Sequence, residues 1–311
     1  MSETSRPKPP RLGGAPDQGL RSGVHTVVAT PFLPDESVDD ASVGTLLAYV
    51  AAASADGVLI LGVLGEADRL SDAERDRIVG LAVERAAGAL QVTVGVTHGA
   101  TVVTAARAQA AERAGAAAVM VSPPPGSSAG PALREHFRRV GAAVSIPVVV
   151  QDHPASSGVK MSVDFIADLA DLLPPRSIVK LEDPPTAPKI AALRRASDRF
   201  QIFGGLGGVA LLAELDAGAD GAMTGFALPE VLVRIVAAHR AGDRATARRA
   251  FEAALPLLVF EAQPGAGVGL RKEILRRRGA IAHAVVRQPA AAPDPVLVAM
   301  LDELLAEPVC P

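Results

Sequence analysis

The stretch Ser177–Pro184, SIVKLEDP, holds the residue best suited to covalent chemistry. A short apolar run, Ser177 to Val179, leads straight into Lys180. Lysine occurs in this chain only at Lys8, Lys160, Lys180, Lys189 and Lys272, and only Lys180 follows directly on a β-branched apolar run. At a strand end, partial desolvation disfavours the charged amine and makes the neutral nucleophile more accessible. A neutral lysine can attack a carbonyl carbon and form a Schiff base. The alternative is a lysine that simply leaves the strand for solvent, because perturbed groups mark sites only as a tendency.

The elements that must position Lys180 form a repeat. From Gly23 the chain alternates short apolar strands with stretches of helical spacing. Eight strands are expected, over residues 24–30, 57–62, 91–96, 117–122, 147–151, 177–181, 200–204 and 221–224. They lack polar alternation, so both faces are buried, as in a parallel sheet covered by helices. Between them, Leu46, Leu47 and Val50 make one helical face after Asp39. Ile78, Leu81 and Ala82 make another after Ser71, and Ser71 with Glu74 has the spacing of a capping box. Ser162 is a second expected N-cap, before Leu169, Leu172 and Leu173. This pattern predicts an α/β protein, a (β/α)8 TIM barrel over residues 23–240, with an open doubly wound sheet as the alternative. Residues 241–311 read as a C-terminal helical extension, with helices over 244–260, 267–278 and 294–307 after one at 229–240. The apolar run around Leu255, Leu257, Leu258 and Val259 could cover the barrel or meet another subunit.

Composition narrows the function. The chain has 311 residues, 21% charged, with a formal net charge of −3, so nothing favours a nucleic-acid surface or an anionic membrane. Aromatics are 3% with no tryptophan, which argues against a stacking platform for bases. The single cysteine, Cys310, has no partner in the chain, and no CxxC or Cys/His cluster predicts a metal. This suits a reducing cytoplasm. No apolar run approaches a membrane span. Residues 1–22 lack the apolar centre of a signal peptide and read as a flexible tail.

In such a barrel, chemistry sits where strands end and loops begin. Those ends carry ATPF (Ala29–Phe32), GVLGE (Gly62–Glu66), Thr97-His98, SPPPGSS (Ser122–Ser128), QDHPASSG (Gln151–Gly158), Lys180 with Glu182 and Asp183, GGLGG (Gly204–Gly208) and TGFALPE (Thr224–Glu230). Order and content resemble the dihydrodipicolinate synthase and N-acetylneuraminate lyase family of class I aldolases. The resemblance covers roughly Gly23 to Arg278 and rests on ATPF, the GxxGE turn followed by Leu70–Arg75, the GADG at Gly218–Gly221, and the lysine after strand six. It implies that Lys180 is the Schiff-base nucleophile toward pyruvate or another 2-oxo acid. It also implies that the turn Gly62, Val63, Leu64, Gly65 holds the substrate carboxylate through backbone N–H groups. Glu66, and Gly205 and Met223 at the ends of strands seven and eight, join that substrate-binding set. The resemblance further implies a homo-oligomer, a tetramer or dimer.

The departures are as informative. Where the family carries a proton-relaying tyrosine at the end of strand five, this chain has Gln151. The paired hydroxyls after strand two are replaced by Val63 and Leu64, and the arginine of the strand-five loop by Ser156. Tyr49, the sole tyrosine, falls within the first expected helix. Glutamine orients a group through its amide but transfers no proton. His153 has the intrinsic range for acid–base work, with a polar loop histidine as its alternative. Glu182 falls on the same strand face as Lys180 and can act as base or as ion-pair partner, roles that oppose each other. His98 at the end of strand three is a weaker candidate.

The expected activity is a Schiff-base lyase needing neither metal nor cofactor. It performs aldol cleavage or condensation, or dehydration of a 2-keto-3-deoxy acid; authentic dihydrodipicolinate synthesis is not predicted. Two other classes stay open. One is a barrel that binds a phosphate ligand at the glycine-rich ends of strands seven and eight, or a metal at Glu66, Asp152 and Glu182. The other is a non-catalytic binder of 2-oxo acids.

Overall fold

A computed structural model describes residues 19–306. Cys310 and most of the expected N-terminal tail lie outside the described residues. Eight parallel strands close into a barrel in sequence order: β1 (Gly23–Val27), β2 (Gly57–Ile60), β3 (Gln91–Gly95), β4 (Ala118–Val121), β5 (Val148–Asp152), β6 (Ile178–Leu181), β7 (Gln201–Gly204) and β8 (Gly221–Thr224). Closure comes from β1 pairing with β8, with Gly23 opposite Gly221 and Thr26 opposite Thr224. At that seam a Cβ on Gly221 would lie 1.8 Å from the Gly23 carbonyl oxygen, so only glycine fits.

Strand alternation sorts the side chains into two layers. Val27, Leu59, Ala118, Met120, Val149, Ile178, Phe203 and Met223 fill the barrel interior. Their neighbours, among them Val58, Val94, Val119, Val150, Val179 and Ile202, face the helices. Leu20 belongs to the interior cluster, and its carbonyl accepts from Gln201 Nε2 at 2.8 Å. Residues 19–22, read from the sequence as part of a flexible tail, instead pack against the N-terminal end of the barrel.

Some helix starts are fixed by side-chain caps. In α1 (Asp40–Ala52), Asp39 accepts from the Ser42 N–H at 3.1 Å. In α2 (Asp72–Ala86), Ser71 and Glu74 form the full capping box. The others are α3 (Thr101–Ala114), α4 (Pro131–Gly141), the single turn α5 (Pro154–Ser157), α6 (Val163–Asp168), α7 (Thr186–Ala196), α8 (Leu211–Asp216), α9 (Pro229–Arg240), α10 (Arg244–Glu261), α11 (Gly267–Arg277) and α12 (Pro295–Ala306). Ser162 does cap α6, accepting from Phe165 N–H at 3.1 Å. That helix is shorter than its leucine spacing predicts, giving way to a tight 3-10 turn at Leu169–Asp171. Pro174 and Pro175 disfavour a further α turn just before them. In α10, Leu257 and Leu258 are buried while Val259 is exposed, so this face covers the barrel. No helix among the described residues is long and apolar enough to cross a membrane.

Candidate active site

The interior positions at the C-terminal ends of β5 and β6 bring three polar side chains together. Gln151 stands directly opposite Lys180 in the parallel ladder, so both project into the barrel. Glu182 lies two residues beyond Lys180 and turns back toward it. Lys180 Nζ is 3.0 Å from Glu182 Oε2, and Gln151 Nε2 donates to the same oxygen at 2.8 Å. The Leu206 N–H donates to Glu182 Oε1 at 3.2 Å. Lys180 is 5% exposed, and Gln151 and Glu182 are as deeply buried. Burial alone pushes the Glu182 carboxyl up. The Lys180 ammonium, the charge of His153 and the hydrogen bonds from Gln151 and Lys180 outweigh it and hold the group below the usual carboxylate range. Glu182 is thus an ionised acceptor in contact with the only lysine that faces the barrel interior among the described residues.

The other expected site residues take distinct places. His153 sits at the start of α5, half-buried, with Nδ1 2.7 Å from Ser156 Oγ. Gly205 faces Glu182: a Cβ there would lie 2.4 Å from Glu182 Cγ and Oε1, so this glycine makes room for the carboxylate. Met223 is a fully buried member of the barrel interior cluster. Around the turn at 62–66, Leu61 and Glu66 both adopt left-handed backbone, with φ of 56° and 50°. Thr30 Oγ1 donates to the Gly65 carbonyl at 2.7 Å. The Gly65 and Glu66 N–H groups bond inside the turn, to Gly62 and Val63 carbonyls. Those of Val63 and Leu64 take no backbone partner among the described residues. Leu64 packs over Gly225, whereas Val63 is 60% exposed.

Glu66 is fully buried, but its carboxylate is taken by Lys272, by Arg69 at 3.1 Å and by the Arg287 N–H at 2.9 Å. Asp152 points to the outside of the barrel and pairs with Lys189 at 2.6 Å. The three acids proposed for a metal therefore do not converge. Each is engaged by its own lysine: Glu66 by Lys272, Asp152 by Lys189 and Glu182 by Lys180. No group of three or more metal-capable side chains forms among the described residues. The glycines after β7 likewise face carboxylates, Gly204 that of Glu214 and Gly205 that of Glu182, which disfavours a phosphate there. His98 serves its own loop, with Nδ1 accepting from Ala100 N–H at 3.0 Å. Tyr49 is remote, donating to the Ala227 carbonyl at 3.0 Å. The roles of Lys189 and Lys272 are absent from the motif reading. The one signal that singles them out is the scarcity of lysine.

Glu214, on α8, is fully buried against Gly204, and burial pushes its carboxyl up to about 7, only partly opposed by the Thr186 hydroxyl. A folded-state value above the ordinary 4.5 means that the native state binds this proton more tightly. Its contribution to stability is fully present below that ordinary value and is lost as pH rises through about 7. At alkaline pH the loss reaches about 3 kcal/mol. Glu214→Gln is expected to flatten the fall in melting temperature between pH about 5 and about 8. Parallel thermal denaturation curves across that range check this, and equal slopes for the two proteins contradict it.

Comparison with known proteins identifies relatives that share this fold. The chain matches the Dihydrodipicolinate synthetase family over residues 20–296. It is 35% identical over 276 residues to an L-2-keto-3-deoxyarabonate dehydratase from Azospirillum brasilense, covering 86% of this chain and 88% of the relative. Among solved structures it resembles a dihydrodipicolinate synthase from Rhodopseudomonas palustris, with a TM-score of 0.89 and 33% identity over 96% of this chain and all of that one. A prophage protein of the same family from E. coli K12, solved in complex with pyruvate, gives a TM-score of 0.85 and 25% identity, covering 93% and 98% of the two chains.

Proposed function

Because the chain belongs to the dihydrodipicolinate synthetase family of class I lyases, we propose that it forms a Schiff base with a 2-oxo acid through Lys180. The observation that carries this reading is the buried contact of Lys180 Nζ with Glu182 at 3.0 Å, closed on its other side by Gln151. The Lys180 ammonium first gives up a proton, and Glu182 is the acceptor within reach. The free amine attacks the C2 carbonyl carbon. The carbonyl oxygen takes up protons and departs as water, leaving a protonated imine. Glu182 passes protons between amine and departing oxygen, the relay that a tyrosine supplies in the resembling family. Gln151 holds Glu182 in line, and His153 tunes it by charge from the loop above. In the turn Gly62–Gly65 the Gly65 N–H is spent on the Gly62 carbonyl, so the N–H groups of Val63 and Leu64 are the donors that receive the substrate carboxylate.

The Azospirillum brasilense relative supports a dehydratase reading, with a 2-keto-3-deoxy acid as substrate. The protonated imine acidifies C3–H, and removal of that proton gives an enamine. The enamine expels the C4 hydroxyl as water, and hydrolysis of the imine returns Lys180. The same intermediate serves aldol cleavage or condensation if C3–C4 is the bond that changes. The protein acts as a homo-oligomer, tetramer or dimer, in the cytoplasm.

Borohydride reduction in the presence of pyruvate tests the reading. A reduced adduct on the Lys180 peptide, absent from Lys180→Ala, is expected by mass spectrometry. No adduct with pyruvate or with any of a panel of longer 2-oxo acids overturns it.

A further inference from the structure

The residues that follow the site on each strand form a second polar cluster, on the opposite face of the same two strands. Gln151 and Lys180 project inward, and so does Glu182 just beyond β6. By alternation, Asp152 and Asp183 project outward. Lys189, on α7, meets them there. Its Nζ lies 2.6 Å from Asp152 Oδ2, 3.0 Å from Asp183 Oδ2 and 2.7 Å from the Met161 carbonyl. Asp152 is fully buried, and its second oxygen, Oδ1, has no hydrogen-bond partner. Burial holds its carboxyl above the usual range in spite of Lys189. The two strand ends are also joined by the Glu182 N–H, which donates to the Asp152 carbonyl at 2.9 Å.

We propose that Lys189 is a positioning residue for the active site. It acts as a three-way clamp that holds the ends of β5 and β6, and the loop returning from α5, in one register, so that Gln151 and Glu182 stay in contact with Lys180. The proposal rests on the Schiff-base reading of Lys180, but the clamp itself is a statement about geometry. The clamp is built for position rather than for net stability. A buried ion pair offsets its own desolvation cost poorly, yet its directional contacts fix the groups that carry it. Asp152 adjoins Gln151 and Asp183 adjoins Glu182, so a shift of either backbone moves a site residue directly. Misplacement on the order of 1 Å at a site is enough to change reactivity by about 10²-fold.

The test uses the amine itself and needs no substrate. Full-length protein is labelled briefly with acetic anhydride, and mass spectrometry gives the labelling of Lys180 relative to a lysine peptide added as internal standard, because Lys160 itself pairs with Asp183 at 3.9 Å. In Lys189→Met the ratio of Lys180 to the standard is expected to rise at least about fivefold, because Glu182 no longer holds the amine in place. Lys189→Arg, which keeps a charge able to bridge two carboxylates, is expected to restore most of the wild-type ratio. The double variant Asp152→Asn, Lys189→Met removes the unpaired buried charge and serves as the folded control, with its circular dichroism compared with wild type. It is expected to show the raised ratio while melting cooperatively. A wild-type ratio in both Lys189→Met and the double variant overturns the proposal. So does a raised ratio in Lys189→Met that the folded double variant does not share. Failure of the borohydride test would instead remove the Schiff-base reading and leave these labelling outcomes readable.

Discussion

Glu182→Gln is expected to slow Schiff-base formation by about 10²- to 10⁴-fold, the range that a positioned acid–base group contributes. The substitution keeps the shape of the side chain and its place beside Gly205. It removes the charge and one acceptor. In the native site, Glu182 Oε2 accepts from both Lys180 Nζ and Gln151 Nε2, while Oε1 accepts from the Leu206 N–H. A glutamine has one acceptor oxygen for these three donors, so its amide N–H faces either Leu206 or the Lys180–Gln151 pair. It also cannot take a proton from the lysine or return one to the departing oxygen. Rapid-mix borohydride quenching with pyruvate measures the effect directly. A fall of less than about tenfold would assign the proton transfer to His153 or to solvent.

The largest stability effect is expected from Lys272→Met, at about 3–5 kcal/mol, because it removes the fully buried counter-charge of Glu66 and leaves only the part-exposed Arg69 and the Arg287 N–H on its other oxygen. Lys272 and Glu66 are both fully buried, and Lys272 Nζ also donates to the Val285 carbonyl at 2.7 Å. The ammonium lies 4.3 Å above the Phe32 ring, whose other cationic neighbour is Arg287 at 4.4 Å. Glu66 adopts left-handed backbone at the end of the turn proposed to bind the substrate carboxylate. That conformation is costly for a non-glycine residue and persists only where its surroundings enforce it. α11 supplies the enforcement from 206 residues away in sequence. Thermal and urea denaturation of Lys272→Met should therefore show a much lower midpoint. The double variant with Glu66→Gln should recover part of it, because no unpaired charge remains. A loss below about 1 kcal/mol in the single variant would mean that Arg69 and the Arg287 N–H suffice to hold Glu66.

Much of the barrel was legible before the structure. The fully apolar strands announce burial on both faces, and all eight appear in the parallel sheet. Ser71 and Ser162 cap where expected, because an N-cap bond spans only three residues. Lys180 stood out because a charged residue after a β-branched run is a local pattern. Its neighbour Glu182 followed from strand alternation, which is also local. Where sequence reasoning ran too long, as in the helix after Ser162, the correction came from a proline pair a few residues downstream.

The rest depended on contacts between residues distant in sequence. Glu66, Asp152 and Glu182 look equivalent as carboxylates beside strand ends. Only the closed barrel assigns each to a different lysine, one inside and two outside. Gly205 reads in sequence as part of a flexible glycine run, yet in the fold it is the gap that the Glu182 side chain occupies. The amino-acid sequence by itself therefore determined the fold class, the element order and the lysine proposed as nucleophile. These depend on periodicity, capping and steric preference within a few residues. The tertiary structure alone decided that Glu66 and Asp152 go to other lysines, which lysines those are, and what holds the turn proposed to bind the substrate carboxylate. Those depend on which atoms meet in the low-dielectric interior, where an unmatched charge is costly and each one must find a partner.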